Sequence, residues 1–103
     1  MGRPEAYVED YLVSQAQKRG IWQCKFTAPS VSGVPDRLCI ANGITFFVET
    51  KAKKKTPRTL QKIICNEMID HGAYVFVADT REKVDKLFDK VLSGNLNRPE
   101  HIK

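Results

Sequence analysis

Residues 33–51 read Gly33-Val34-Pro35-Asp36-Arg37-Leu38-Cys39-Ile40-Ala41-Asn42-Gly43-Ile44-Thr45-Phe46-Phe47-Val48-Glu49-Thr50-Lys51, and this stretch decides the fold. Two β-prone runs, 37–41 and 44–50, flank Asn42-Gly43, a pair that adopts positive φ readily and so suits a two-residue type I′ hairpin turn. So short a loop sets the register. Counting outward from Ala41 opposite Ile44 brings Asp36 opposite Glu49. Both hairpin faces are apolar in the middle, with Leu38, Ile40 and Phe47 on one and Cys39, Ile44, Phe46 and Val48 on the other. A strand pair of this kind expects cover on both sides, which places it at the centre of a sheet.

Helical and strand patterns extend in both directions from the hairpin. Residues 4–19 carry Val8, Tyr11, Leu12 and Ala16 at helical spacing, with Pro4 suited to the first turn and Gly20 to the stop. Residues 21–26 form a short β-prone run, and 27–34 are loop-like in their Pro, Ser and Gly content. After a lysine-rich connector at 52–55, Thr56 as N-cap and Pro57 as first helical residue open a second helix. Its expected buried stripe is Leu60, Ile63, Ile64 and Met68, and Gly72 ends it. Residues 73–78 give a fourth strand, and Asp79 or Thr80 caps a third helix bearing Val84, Leu87, Phe88, Val91 and Leu92. The expected order is αβββαβα, an α/β domain with a mixed sheet flanked by helices. Residues 1–103 read as one domain, with 93–103 a polar, loose tail.

Hydrophobic residues make up 42% and charged residues 28%, the balance of a folded, water-soluble chain. The net charge of +5 favours a polyanionic partner. No stretch is long and apolar enough for a membrane span, and no targeting signal is visible. Cys24, Cys39 and Cys65 are odd in number, without CxxC spacing or a neighbouring His. They read as reduced, buried thiols, and a cytoplasmic location is expected. His71 and His101 are isolated, and Trp22 and the phenylalanines are expected in the core.

Carboxylates directly opposite each other in an antiparallel pair have Cβ atoms about 5 Å apart and repel. Lys51, two residues beyond Glu49, returns to the same face, so two acids and a base converge. Hard divalent cations bind carboxylate oxygens and complete their shell with water and phosphate oxygens, which converts the repulsion into a binding site. Lys51 is then placed to orient an attacking water or to stabilise charge developing on phosphate.

Gly33-Val34-Pro35-Asp36 followed, after the hairpin, by Glu49-Thr50-Lys51 resembles the signature of the PD-(D/E)xK nucleases, and its GxPD form resembles the VRR-NUC branch, the virus-type replication-repair nucleases. The resemblance implies a restriction-endonuclease-like sheet and a magnesium- or manganese-dependent endonuclease acting on DNA. Asp36, Glu49 and Lys51 are then catalytic, with Asp36 and Glu49 as metal ligands. It also implies a helix-one acid at the metal, matched by Glu5 with Glu9 as its competitor, and a Gln after the catalytic strand, matched by Gln61. By the same analogy the expected substrate is branched or four-way junction DNA, cut by a homodimer in DNA repair. Lys53, Lys54, Lys55, Arg58 and Lys62 follow the catalytic strand and are expected to hold backbone phosphates, with Lys25 and Arg37 flanking the site. An RNA-cleaving nuclease on the same scaffold and a non-catalytic nucleic-acid-binding module stand as the alternatives.

Overall fold

In the computed structural model, β2 (Arg37–Ala41) and β3 (Ile44–Thr50) form the expected hairpin. It turns on Asn42 and Gly43 with φ of 52° and 76°. The register is Ala41 opposite Ile44, Leu38 opposite Phe47 and Arg37 opposite Val48, which continues to Asp36 opposite Glu49. The structure describes residues 4–52 and 55–103, without the side chains of Pro4 and Glu5.

β1 (Trp22–Lys25) pairs antiparallel with β2, and β4 (Tyr74–Ala78) pairs parallel with β3, giving the sheet order β1-β2-β3-β4. The parallel pair requires a crossover, supplied by α2 (Thr59–Asp70). Helices α1 (Pro4–Arg19) and α3 (Arg81–Ser93) lie on the opposite sheet face. The result is the αβββαβα order and a mixed sheet between helical layers, as the pattern of the sequence leads one to expect.

The larger core lies under α1 and α3. Val8, Leu12 and Ala16 from α1 and Val84, Leu87, Phe88 and Val91 from α3 close over Cys39, Phe46 and Val48. Phe46 and Phe88 meet edge to face at 6.2 Å between ring centroids. Polar contacts tie the two helices together: the Tyr11 hydroxyl donates to Asp85 at 2.8 Å, and Arg19 reaches Asp85 and Asp89. Thr80 caps α3 by accepting the Lys83 amide, and of the apolar residues that the helix bears Leu92 is exposed.

The other face is covered only in part. Cys65 and Ile69 of α2 pack with Val75, Phe47 and Met68. The expected stripe of Leu60, Ile63, Ile64 and Met68 is corrected, because Leu60 and Ile63 are exposed. The helix also begins later than expected, at Thr59, with Arg58 as its N-cap instead of Thr56. The buried face is therefore rotated toward Gln61, Cys65 and Ile69. Because α2 packs chiefly against β4, the β1–β2 half of this face is open. Trp22 is 58% exposed and its register partner Ile40 41% exposed, which corrects the placing of Trp22 in the core and the expectation of full cover.

Residues 95–103 form no helix or strand, yet they are tethered to α2. The Asn66 side chain accepts from the Ile102 amide at 2.7 Å and donates to its carbonyl at 3.0 Å, while His101 meets Asp70. Ile102 packs on the α2 core.

The loop before β2 depends on one glycine. Gly33 has φ of +92°, and a Cβ there would lie 3.0 Å from the Leu60 carbonyl oxygen and 3.2 Å from Ile64. Only glycine meets both demands, and Pro35 is fully buried behind it. Gly33→Ala is expected to cost about 1–3 kcal/mol from left-handed strain and crowding, read as a lower denaturation midpoint. An unchanged midpoint would show that the loop moves off α2 at no cost.

Candidate active site

The strand register delivers Asp36 and Glu49 side by side at one end of the sheet, and each is held by a different neighbour. Both Asp36 oxygens accept from Thr50: Oδ1 from the backbone amide at 3.2 Å and Oδ2 from the hydroxyl at 2.8 Å. Glu49 is buried, and its Oε2 lies 3.1 Å from Lys51 Nζ and accepts from Gln61 Nε2 at 2.9 Å. The other oxygen, Oε1, is buried with no hydrogen-bond partner among the described residues.

Gln61 connects the site to α2. Its Oε1 accepts the Arg58 amide at 3.0 Å, one of the donors a helix start leaves open, and its amide nitrogen turns to Glu49. The later start of α2 makes this possible, since it puts Gln61 in the third helical position. Lys51 is also buried, and its backbone amide donates to the Ala78 carbonyl, fixing the chain where β3 ends.

These groups line a cavity of about 420 Å³ together with Glu9, Lys25, Phe26, Val31, Val34 and Arg58. Burial raises the Asp36 carboxyl above the usual range, opposed by the two Thr50 hydrogen bonds and reinforced by nearby Glu9. Burial likewise raises Glu49, with the Asp36 charge adding to it and the Lys51 hydrogen bond opposing it. Two adjacent acids, one with an unmatched buried oxygen, and a paired lysine in a cleft form an arrangement suited to a cation and a phosphate.

The fold matches a solved structure described as a VRR_NUC domain, with a TM-score of 0.77 and 29% sequence identity over 85% of this chain and 97% of that one. The chain shares the fold of that VRR_NUC domain and is similar to it over most of both lengths. The likeness supports a nuclease domain. No family model and no curated protein matches the sequence.

The structure brings Asp36, Glu49, Lys51 and Gln61 together. Glu9, the alternative helix-one acid, lines the cavity but is engaged elsewhere, with Arg37 at 3.0 Å and Lys25 at 3.4 Å. The Glu5 side chain lies outside the described residues, as do Lys53 and Lys54. Among the described residues no group of three or more His, Cys, Asp or Glu side chains converges as a metal cage. Lys25 and Arg58 line the cavity and are exposed, whereas Lys55 is exposed outside its lining and Lys62 is half-buried. Arg37 is only 16% exposed and is spent on Glu9 and Gln23, which removes it from the free cations of the site. Sequence reasoning missed Thr50, whose two donors hold Asp36; its place inside the Glu49-Thr50-Lys51 run was the available signal. Cys39 and Cys65 are buried, with thiols pushed up to about 12 and about 11, so neither supplies a thiolate.

Raised carboxylates have a thermodynamic consequence. The folded state holds these protons to a higher pH than the unfolded chain does. Between the ordinary carboxylate pKa and the raised folded values, stability therefore falls as pH rises. In chelator, melts are expected to show the protein losing stability as pH climbs above about 4 through the raised folded values of Asp36 and Glu49. Asp36→Asn should flatten that loss while keeping an oxygen for the Thr50 amide. A melting temperature that rises over this window, or a large destabilisation by Asp36→Asn, would overturn the account.

Proposed function

We propose that this VRR-NUC-like domain is a magnesium- or manganese-dependent endonuclease that hydrolyses DNA without a covalent enzyme intermediate. The observation that carries the reading is Glu49 Oε1, buried without a donor beside a second carboxylate whose pKa is raised in the same direction. A buried acceptor without a partner is costly, and a hard cation is the partner that two adjacent carboxylates select. Asp36 and Glu49 would hold it. Two carboxylates suffice for magnesium, which keeps several waters and takes further oxygens from phosphate. The bound cation supplies Lewis acidity toward the phosphate and lowers the pKa of water.

The chain's own groups do the positioning. Thr50 locks the Asp36 carboxylate by both oxygens. Gln61 holds Glu49 Oε2, leaving Oε1 available. The Lys51 ammonium, 3.1 Å from Glu49 and at the cavity wall, donates hydrogen bonds to the attacking water or to the phosphate oxygen that gains charge. Lys25 and Arg58, exposed at the rim, hold flanking phosphates.

Asp36→Ala, Glu49→Ala and Lys51→Ala are each expected to lower DNA cleavage by about a hundredfold or more with the fold retained by circular dichroism. Gln61→Ala acts through Glu49 and should weaken magnesium activation more than maximal turnover. Wild-type cleavage that survives exhaustive chelation would defeat the mechanism.

We further propose that the functional unit is a homodimer that prefers branched DNA. One cutting centre per chain makes paired incision the work of two copies, and two-fold dimers are self-complementary. The open patch of Trp22 and Ile40 beside the edge strand β1 suits a second copy, because an edge strand can pair antiparallel with itself across a two-fold axis. Light scattering should give a dimer for the wild type and a folded monomer for Trp22→Glu, with junction cleavage reduced more than cleavage of linear duplex. A monomeric wild type that cuts both substrates equally would remove this part of the reading.

A further inference from the structure

A second cavity, of about 450 Å³, lies at the outer edge of β4, with no lining residue in common with the carboxylate cavity. Its floor is apolar, with Val77 and Leu87 among the lining residues, and its walls come from α3 and the tethered segment 96–102. Four cations line it: Lys83, Lys86, Lys90 and Arg98, against the single acid Glu100. Lys83 is paired with Asp79 at 2.8 Å. Lys86, Lys90 and Arg98 are exposed and have no ion pair among the described residues.

We infer that this groove is a second nucleic-acid contact, in which the α3 lysines and Arg98 hold backbone phosphates of the strand whose cut is made at Asp36 and Glu49. The inference rests on the nuclease reading but concerns a different surface. Like charges collected on one rim repel one another, and a polyanion relieves that repulsion. Their spacing fits a phosphate backbone. Lys83, Lys86 and Lys90 recur on one face of α3, and seven residues of helix rise about 10 Å, the length over which one DNA strand presents about three phosphates.

One strand pair links the groove to the carboxylate site. Val77 in its lining is the register partner of Glu49, and Ala78 beside it accepts the Lys51 amide. A second copy does not fit here, because a two-fold axis at the groove would bring two sets of unpaired cations together. The lysines stand on α3 behind the edge and hold phosphates from one side, while Arg98 on the returning segment holds them from the other.

The test compares duplex DNA binding, in chelator, by the wild type, by Lys86→Gln/Lys90→Gln and by Lys18→Gln, an exposed α1 lysine that controls for charge alone. The groove variant is expected to bind about tenfold or more weakly at moderate salt, with a log–log salt slope smaller by about 0.9 for each lost contact. Lys18→Gln should leave the slope unchanged. With magnesium restored, the groove variant should show a raised KM and an unchanged kcat, since its cations do not touch the reacting phosphate. Arg98→Gln, which lies outside any helix, repeats the test without altering α3. Wild-type cleavage with an unchanged slope in both groove variants would overturn the groove while leaving the nuclease reading intact. Failure of the wild type to bind or cut DNA would overturn both. Amide shifts at Leu87 produced by inorganic phosphate, without any change in DNA slope, would assign the groove to a free anion and overturn the strand reading.

Discussion

Two carboxylates on neighbouring strands of one sheet face are the constraint on which the rest of this structure depends. The Asn42-Gly43 turn admits one register, and that register sets Asp36 beside Glu49 at the end of the hairpin. Neither can be left bare in a half-buried site, and the surrounding residues are chosen accordingly. Thr50 neutralises the hydrogen-bonding needs of one, while Lys51 and Gln61 serve the other. Gly33 and the buried Pro35 bring the preceding loop onto α2, so that Asp36 enters the sheet at the right place. The helix start that frees Gln61 for Glu49 belongs to the same arrangement. A packed sheet normally fills such positions with apolar side chains. Here stability is given up locally to hold two carboxylates together in one cleft.

The hairpin was legible in the sequence because its signals are local. Asn-Gly turns, period-two alternation and residue counting need no knowledge of the rest of the chain, and they place Asp36, Glu49 and Lys51 on one face. Gln61 was legible only through the family resemblance, which implies a Gln on the helix after the strand ending at Lys51, and its bond to Glu49 depends on where α2 starts. Pro57 pulled the expected start forward, and the chain instead delays the helix until Arg58 can give its amide to Gln61. The errors share one cause. Leu60, Ile63, Trp22 and Ile40 are exposed, and their apolar character alone suggests core. Periodicity reports which side of an element is apolar, but it does not report whether the fold supplies a layer to cover it. Here α2 spans the β3–β4 half of its sheet face and leaves the β1–β2 half uncovered.

Tertiary contacts also changed the meaning of charged residues. Arg37 follows the site aspartate and looks like a phosphate ligand in sequence, but Glu9 comes within 3.0 Å of it and takes it out of use. Glu9 is thereby spent as well, and the cavity wall it lines is partly neutral. The polar tail shows the converse. Nothing in residues 95–103 signals docking, yet a single asparagine on α2 satisfies both backbone groups of Ile102. An amide side chain that pairs with a backbone as another strand would is invisible to composition.

The two edges of the sheet end in opposite chemistry, and that difference bears on how a nuclease of this size could work. An exposed edge strand risks pairing with any other chain, and it is commonly blunted by placing charge on the strand itself. The β4 edge has another guard, the segment 96–102 returning beside it, while its lysines sit on α3 behind it. Edge protection therefore does not account for those lysines. Lys86 and Lys90, without an ion pair among the described residues and aligned with Lys83 along one helix face, suit the polyanion proposed for the groove. The β1 edge is short and bears an exposed Trp22 with Ile40 beside it, a surface that repels no copy of itself. On the readings proposed above, one edge takes substrate and the other a second chain. With the carboxylates between them, a two-fold pair joined at β1 would carry its substrate-binding grooves on its outer flanks.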